Sequence, residues 1–522
     1  MTPGADPAGS THGSARGSFG LYPQTSFRIV RGDQAGDATL RQARWYFADE
    51  IVAVSEPGAP VAGFSRAMRT QDDVLTWMRE RASDAPLEHP PLVWIAAPQT
   101  IAHALLSADA QELVAAHIRM PLALMPKHPL NRSYFDESSA RFFAQRAVKL
   151  RGTLDADRFV ARTLWPEDFA LPAAPPQRPL DPNVSAQLAL RALVREAPQG
   201  GARSAFDAWT LWQRDTGASF ADGYVLALVL TGAQGDDDEA HGGHFALATG
   251  RLEPDGAIGD WLVDNFYALD TESEKGIIGA PVPLDNYLAD LNAGQAWYRP
   301  AALLVAVLHD ARAAVLVQGA MNRVYNQFYR HQLHYDHAAM NCTGISVDTL
   351  RTLGLEIAAR KPAWHALAPL ALPWLVATER SLGRARQAYD YATEDATRLL
   401  PQAAFEEIGA ALLALASAPA TVRGKLAASI AADIDALAFV RIPQLPSSRA
   451  WGDAPVVTLR EYRDRLPARR ADMKIVPVPP RPFPDALRDD DLLRKPWRRS
   501  SIAIALWSAL VALAIALAIA HG

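Results

Sequence analysis

The chain has 522 residues, 49% apolar and 21% charged, which is enough to bury the cores of two or three domains. Its 52 Lys and Arg against 57 Asp and Glu leave a formal charge of −5, so no nucleic-acid partner is expected. The single cysteine, Cys342, excludes an internal disulfide framework and fits a reducing compartment.

Residues 1–24 are small, polar and rich in Gly and Pro, and are expected to be disordered. They hold no apolar run, so they do not read as a secretory signal. From residue 25 the pattern turns globular. "ARWYFADEIVAV" (43–54) reads as a strand, and "TQDDVLTWMRERA" (70–82) as a helix with Thr70 as candidate cap. "PLVWIAA" (91–97) reads as a buried strand, followed by helix to about residue 117. Residues 25–170 thus form an α/β or α+β domain without a motif that carries chemistry. The Pro-rich stretch 171–182 is a linker.

Five segments then suggest an antiparallel sheet: 187–196, 224–232, 244–249, 261–269 and 302–308. The acidic loop "GDDDEAHGG" (235–243) reads as a solvated turn rather than a cation site. Residues 310–331 read as a helix ending in "HQLHYDH". His331, His334 and His337 drift around a helix rather than stack, which favours a polar helix end over a zinc site. A zinc hydrolase built on these histidines remains as a third functional reading.

Cys342 opens the next helical segment. Asn341 is its candidate N-cap, and Ile345, Leu350 and Leu353 mark an apolar stripe. A thiol in the first turn of a helix sits among unpaired N–H groups at the positive end of the dipole, which favours the thiolate. The competing reading is an inert buried cysteine. Upstream, "HGGHFALATG" (241–250) puts His244 at the head of a strand, and "WLVDNFYAL" (261–269) supplies a second strand with polar residues. Nucleophile, base and orienting group can be assembled from these three pieces.

These motifs resemble the circularly permuted branch of the papain-like NlpC/P60 superfamily, which includes lecithin–retinol acyltransferase-like proteins and bacterial thiol hydrolases. "HFALATG" stands for the histidine strand, and Tyr335 with "NCTG" for the cysteine helix. The resemblance covers roughly residues 220–355, and the domain is drawn at 183–355. It implies Cys342 as nucleophile, His244 as base and Asp264 as the orienting group. Asn265 is the fallback orienter, because period-2 alternation puts only one of the two on the His244 face. Tyr335 and Asn341 are implied as support for the oxyanion and the helix start. Ala246 stands where the family often has glycine.

Residues 356–470 turn Ala-rich and helical, including 374–400, 404–418 and 424–440. Residues 471–500 are a Pro-rich, basic juxtamembrane linker. "SIAIALWSALVALAIALAIA" (501–520) holds 20 residues without a charge, the length of a bilayer core. With Arg494, Lys495, Arg498 and Arg499 before it, it reads as a single C-terminal transmembrane helix with the soluble portion facing the cytoplasm.

The expectation is therefore an α+β chain: a permuted papain-like sheet with a Cys-bearing helix, an N-terminal domain, a helical region and a tail anchor in a lipid bilayer. Its activity is thiol hydrolysis or acyl transfer on an amide or peptide bond, through Cys342, His244 and Asp264. No cofactor is called for. A lipid acyltransferase or phospholipase is the alternative enzyme, and a membrane-tethered interaction protein the non-enzymatic one.

Overall fold

A computed structural model describes residues 18–35, 41–63, 65, 69–82, 84–124, 137–196, 206–214, 220–231, 243–269, 278–288, 301–361, 368–417, 424–442, 469 and 483–487. Residues 18–23, placed in the disordered leader by composition, form a hairpin of β1 (Ser18–Phe19) and β2 (Tyr22–Pro23). Phe19 and Tyr22 are buried there, which gives the short stretch its fixed place. Next come β3 (Phe27–Arg31), α1 (Arg41–Tyr46), β4 (Ile51–Ser55), α2 (Thr70–Glu80) and β5 (Val93–Trp94). The three strands β3, β4 and β5 pair antiparallel. The expected strand 43–54 is thus split between the end of α1 and β4.

The stretch expected to be helical up to 117 is instead the start of a closed barrel. Its strands are β6 (Gln99–Leu106), β7 (Glu112–Ala115), β8 (Ile118–Leu124), β9 (Val148–Asp155) and β10 (Arg158–Pro166), with α3 (Glu137–Phe143) between β8 and β9. The barrel order is β10-β8-β7-β6-β9, with β8 and β10 parallel and the other pairs antiparallel. This is the Greek-key arrangement of OB-type barrels. Ala-rich "QTIAHALL" has helix propensity, but Ile101 and Ala104 face a barrel core shared with Leu113, Leu122, Leu150 and Phe159. A register shift between Ile101 and Ala104, with His103 at φ +53°, makes that possible. Packing overrides local preference here.

Residues 187–196, expected as a strand, form α4 (Ala186–Arg195), capped by Ser185. Leu190, Leu193 and Val194 recur at helical spacing and are buried. The main sheet comprises β11 (Asp207–Gln213), β12 (Tyr224–Thr231), β13 (His244–Arg251), β14 (Leu262–Asn265), β15 (Ala280–Pro283), β16 (Ala301–Leu308) and β17 (Ile434–Ile442). Its order is β11-β17-β16-β12-β13-β14-β15, antiparallel throughout. The helices are α5 (Leu284–Leu288), α6 (Arg312–Tyr329), α7 (Cys342–Thr352), α8 (Ala368–Glu379), α9 (Leu382–Thr393), α10 (Ala396–Leu399), α11 (Pro401–Ser417) and α12 (Lys425–Asp433). Half of the expected helix 424–440 is therefore β17, inserted between β11 and β16. Its "LAFV" run is buried as a central strand requires. The sheet expected to end near 355 takes a strand from far beyond it.

The antiparallel register puts Thr249, Leu247, Leu304 and Asp264 on one face of the sheet. Helix α6 reaches Thr249 through Gln318, and Gly409 of α11 approaches Leu304, so both helices cover that face, with α12 touching each. The N-terminal region packs on the same helices. Asp73 of α2 accepts from Arg323 at 2.7 Å and from Gln327 at 2.6 Å, both on α6. Asn322 donates to the Tyr22 hydroxyl at 2.6 Å and to the Glu88 carbonyl at 2.8 Å. One hydrophobic core runs from Phe47 and Trp77 through the barrel to the main sheet.

The fold class needs one further correction. Among the described residues no helix is long and apolar enough to cross a membrane. The transmembrane helix, the tail anchor and the cytoplasm-facing orientation are therefore not supported. Residues 501–520, on which they rested, lie outside the described residues.

Candidate active site

His244 is the first residue of β13, and alternation along the strand puts it on the face opposite Leu247. Leu247 pairs with Asp264, so Asp264 faces away from His244 while Asn265 shares its side. His244 Nε2 donates to Asn265 Oδ1 at 2.7 Å. Asn265 Nδ2 donates in turn to the Ile278 carbonyl at 2.7 Å. That second bond fixes which way the amide points. It leaves only an acceptor for the imidazole, so Nε2 carries the proton and Nδ1 is free for another partner.

Asp264, expected as the orienting group, does not act on His244. Its carboxylate accepts from Gln318 Nε2 at 3.1 Å, and Gln318 also accepts from Thr249 at 2.5 Å. Burial pushes the Asp264 carboxyl well above the usual carboxylate range, against the Gln318 hydrogen bond that lowers it. The physical reason for the correction is the two-residue period of the strand. The fallback residue Asn265 takes the position.

Cys342 begins α7. The Asn341 side chain caps the helix by accepting from the Gly344 N–H at 2.8 Å. Its Nδ2 donates to the carbonyls of His337 at 3.1 Å and Leu399 at 3.2 Å. Asn341 therefore fixes the helix start, and with it the thiol, rather than touching the sulfur. Cys342 itself is 6% exposed and within hydrogen-bonding reach of His244. Burial pushes the thiol up, but the His244 charge and hydrogen bond overcome it. The Phe245 N–H and the Thr343 hydroxyl, 3.8 Å from the sulfur, add to them and the thiol falls to about 7. The Cys342 N–H donates to the Tyr335 hydroxyl at 3.4 Å. Burial and the neighbouring Cys342 raise the Tyr335 phenol well above its ordinary value, so it remains a donor at any physiological pH.

Two aromatic side chains that the sequence reading did not single out flank the site. Tyr267 and Tyr287 lie with ring centroids 6.3 and 6.2 Å from His244, and Tyr267 is 5.8 Å from Tyr335. Tyr267 was accessible in principle, being two residues beyond Asn265. Tyr287 and the Phe245 N–H follow only from the tertiary arrangement. Of the histidines of "HQLHYDH", His331 bonds the Tyr46 hydroxyl at 2.9 Å and has the His334 ring 6.1 Å from its own, while His337 packs edge-on against Tyr335. Among the described residues, no group of three or more His, Cys, Asp or Glu side chains is arranged to hold a metal. A polarisable thiol, a base with a fixed tautomer and two donors beside the sulfur can together carry acyl transfer. Comparison with protein-family models, curated proteins and solved structures returns no match.

Proposed function

We propose that the chain is a thiol hydrolase or acyltransferase of papain-like type, acting on an amide or peptide bond through Cys342, His244 and Asn265. The observation that carries this reading is the continuous Cys342–His244–Asn265 set, with the thiol held at about 7 despite its burial. An inert core cysteine shows the opposite behaviour, because burial alone raises a thiol.

In this reading His244 Nδ1 takes the proton of the Cys342 thiol, and the thiolate attacks the substrate carbonyl carbon and forms a C–S bond. The carbonyl π electrons move to oxygen, which takes donors from the Cys342 N–H and the Tyr335 hydroxyl. The His244 Nδ1 proton passes to the leaving nitrogen as the C–N bond breaks, leaving a thioester on Cys342. Water or another nucleophile then gives its proton to His244 Nδ1 and attacks the thioester carbonyl, and the C–S bond breaks to release the Cys342 thiolate, which restores the starting thiolate–imidazolium pair. Asn265 keeps the imidazole in the tautomer that both steps use.

The test is acyl-enzyme trapping with an activated ester, read by intact-protein and peptide mass spectrometry. The wild-type chain gains one acyl mass on the peptide containing Cys342, and Cys342→Ser gains none. A folded wild-type chain that never acquires the adduct, or acquires it equally on Cys342→Ser, overturns the proposal.

A further inference from the structure

The end of the Pro-rich segment is bound in a place unrelated to the thiol chemistry. Phe483 stacks on Tyr46 with ring centroids 5.4 Å apart and planes at 22°. It meets Trp45 edge-on at 5.3 Å and His331 at 4.1 Å. Tyr46 and His331 are joined by their hydrogen bond of 2.9 Å, so two walls of the slot are tied to each other. After Phe483 the chain makes a 3₁₀ turn, Asp485–Leu487, closed by the Leu487 N–H on the Pro484 carbonyl at 3.0 Å. Arg41 donates to the Ala486 carbonyl at 3.4 Å, a second point of attachment beyond the ring. Trp45, Tyr46, His331 and Phe483 are all half-buried, so the slot lies at the surface.

From this arrangement we infer that Trp45, Tyr46 and His331, with Arg41, form a recognition site for a proline-flanked phenylalanine segment, occupied here by the chain's own Phe483–Leu487. The chemistry fits on both sides. Residues 477–484 read "PVPPRPFP", with five prolines that restrict the unbound chain and so reduce the ordering entropy lost on docking. Aromatic-lined grooves are the usual receptors for such segments. The flanking prolines offer no N–H, so recognition falls on the ring and on a carbonyl, the two features that the slot engages.

The slot also bears on the loop between α6 and α7. His331 is held at φ +59°, a left-handed conformation that a non-glycine residue adopts only where its surroundings fix it. The same loop carries Tyr335 and leads into Asn341. Occupancy of the slot therefore restrains residues 330–341, whatever reaction Cys342 supports.

The experiment uses the full-length chain and its Phe483→Ala variant, with a fluorescently labelled peptide of residues 480–487 (PRPFPDAL) read by anisotropy. The peptide is expected to bind Phe483→Ala saturably. Wild type should bind it at least tenfold more weakly, because its own segment competes at an effective concentration on the order of millimolar. A peptide with alanine for the phenylalanine should not bind, and adding Trp45→Ala to Phe483→Ala should abolish binding. Hydrogen exchange of residues 330–341 should quicken in Phe483→Ala and slow again with peptide. Equal binding to wild type and variant, or no binding to a folded Phe483→Ala chain, overturns the inference. If circular dichroism shows Phe483→Ala unfolded, Phe483→Leu, which keeps apolar bulk and loses ring stacking, carries the same test with the same outcomes.

Discussion

Replacing His244 by alanine removes the group that holds the Cys342 thiol near 7, and the size of the effect can be worked out in advance. At pH 6 a thiol with a pKa of about 7 is roughly one-tenth thiolate, whereas one at the ordinary value of about 8.5 is roughly three parts in a thousand. The thiolate population should therefore fall about thirtyfold. The remaining thiolate is more nucleophilic because its pKa is higher; with a Brønsted slope of about 0.45 this recovers about a factor of five. The net expectation is an alkylation rate at pH 6 about sixfold lower. The true loss should be larger, since burial is then unopposed and pushes the thiol above the ordinary value.

The assay is the second-order rate of iodoacetamide labelling of the folded chain from pH 5 to 9. Cys342 is 6% exposed, which slows every absolute rate, so the ratio of variant to wild type and the midpoint of each profile are the quantities to compare. The wild-type midpoint should fall at about 7 and the His244→Ala midpoint above 8.5. Coincident midpoints, or labelling that begins only on unfolding, would refute the pairing and return Cys342 to the core.

The other side chains make separable predictions. Asn265→Ala should move the alkylation midpoint part of the way upward and cost about 1–3 kcal/mol in urea unfolding, since the Ile278 carbonyl loses its donor. Asp264→Asn should leave the midpoint unchanged. The folded carboxyl is raised above its unfolded value, so wild-type stability is greatest below about pH 3.9 and declines as pH rises toward the folded pKa; the asparagine variant should therefore gain on wild type as pH rises above about 3.9 and show no advantage in acid. Asp73→Ala should cost about 3–5 kcal/mol by urea unfolding, with part recovered on adding Arg323→Met, which removes the stranded cation. Gly319→Ala places a methyl group 2.7 Å from the Trp77 ring and should cost about 1–3 kcal/mol in thermal or urea unfolding, relieved by Trp77→Leu.

How much of this was readable beforehand depends on the range of the signal. The cap at Asn341, helix α6 and the strand at His244 rest on contacts a few residues apart, and the sequence pattern located each of them. The choice between Asp264 and Asn265 was confined by alternation to two outcomes but needed the pairing of Leu247 with Asp264 to decide it. The barrel was missed because "QTIAHALL" has the composition of a helix, and its strand form depends on β7 and β9 beside it. Strand β17 was missed for the same reason. Ile434–Ile442 follows an Ala-rich helix without a Gly or Pro between them, and only its two neighbours in the sheet make the change of period favourable. The polar face of α6 carried no signal of its own in the sequence. Gln318, Asn322, Arg323, Asn326 and Gln327 are all buried, because each finds a partner outside the helix.

That buried polar face gives the N-terminal region a physical role the sequence did not disclose. Strand β14 is bonded on both of its faces: Asn265 to His244 on one, and Asp264 through Gln318 to α6 on the other. Gln318 also donates to Asn322 at 2.9 Å, and Asn322 ends on Tyr22 and the Glu88 carbonyl. The side chain that orients the imidazole is thus one backbone step from a network that closes only when residues 18–89 are docked. The links from Asp264 through Gln318 and Asn322 to Tyr22 are buried, so deleting one leaves its partner unsatisfied at a cost of about 1–3 kcal/mol. Such networks specify a single arrangement more strongly than apolar contacts of the same area, which tolerate sliding. By fixing α6 and β14, the N-terminal region sets the position of Asn265, and through it the His244 ring.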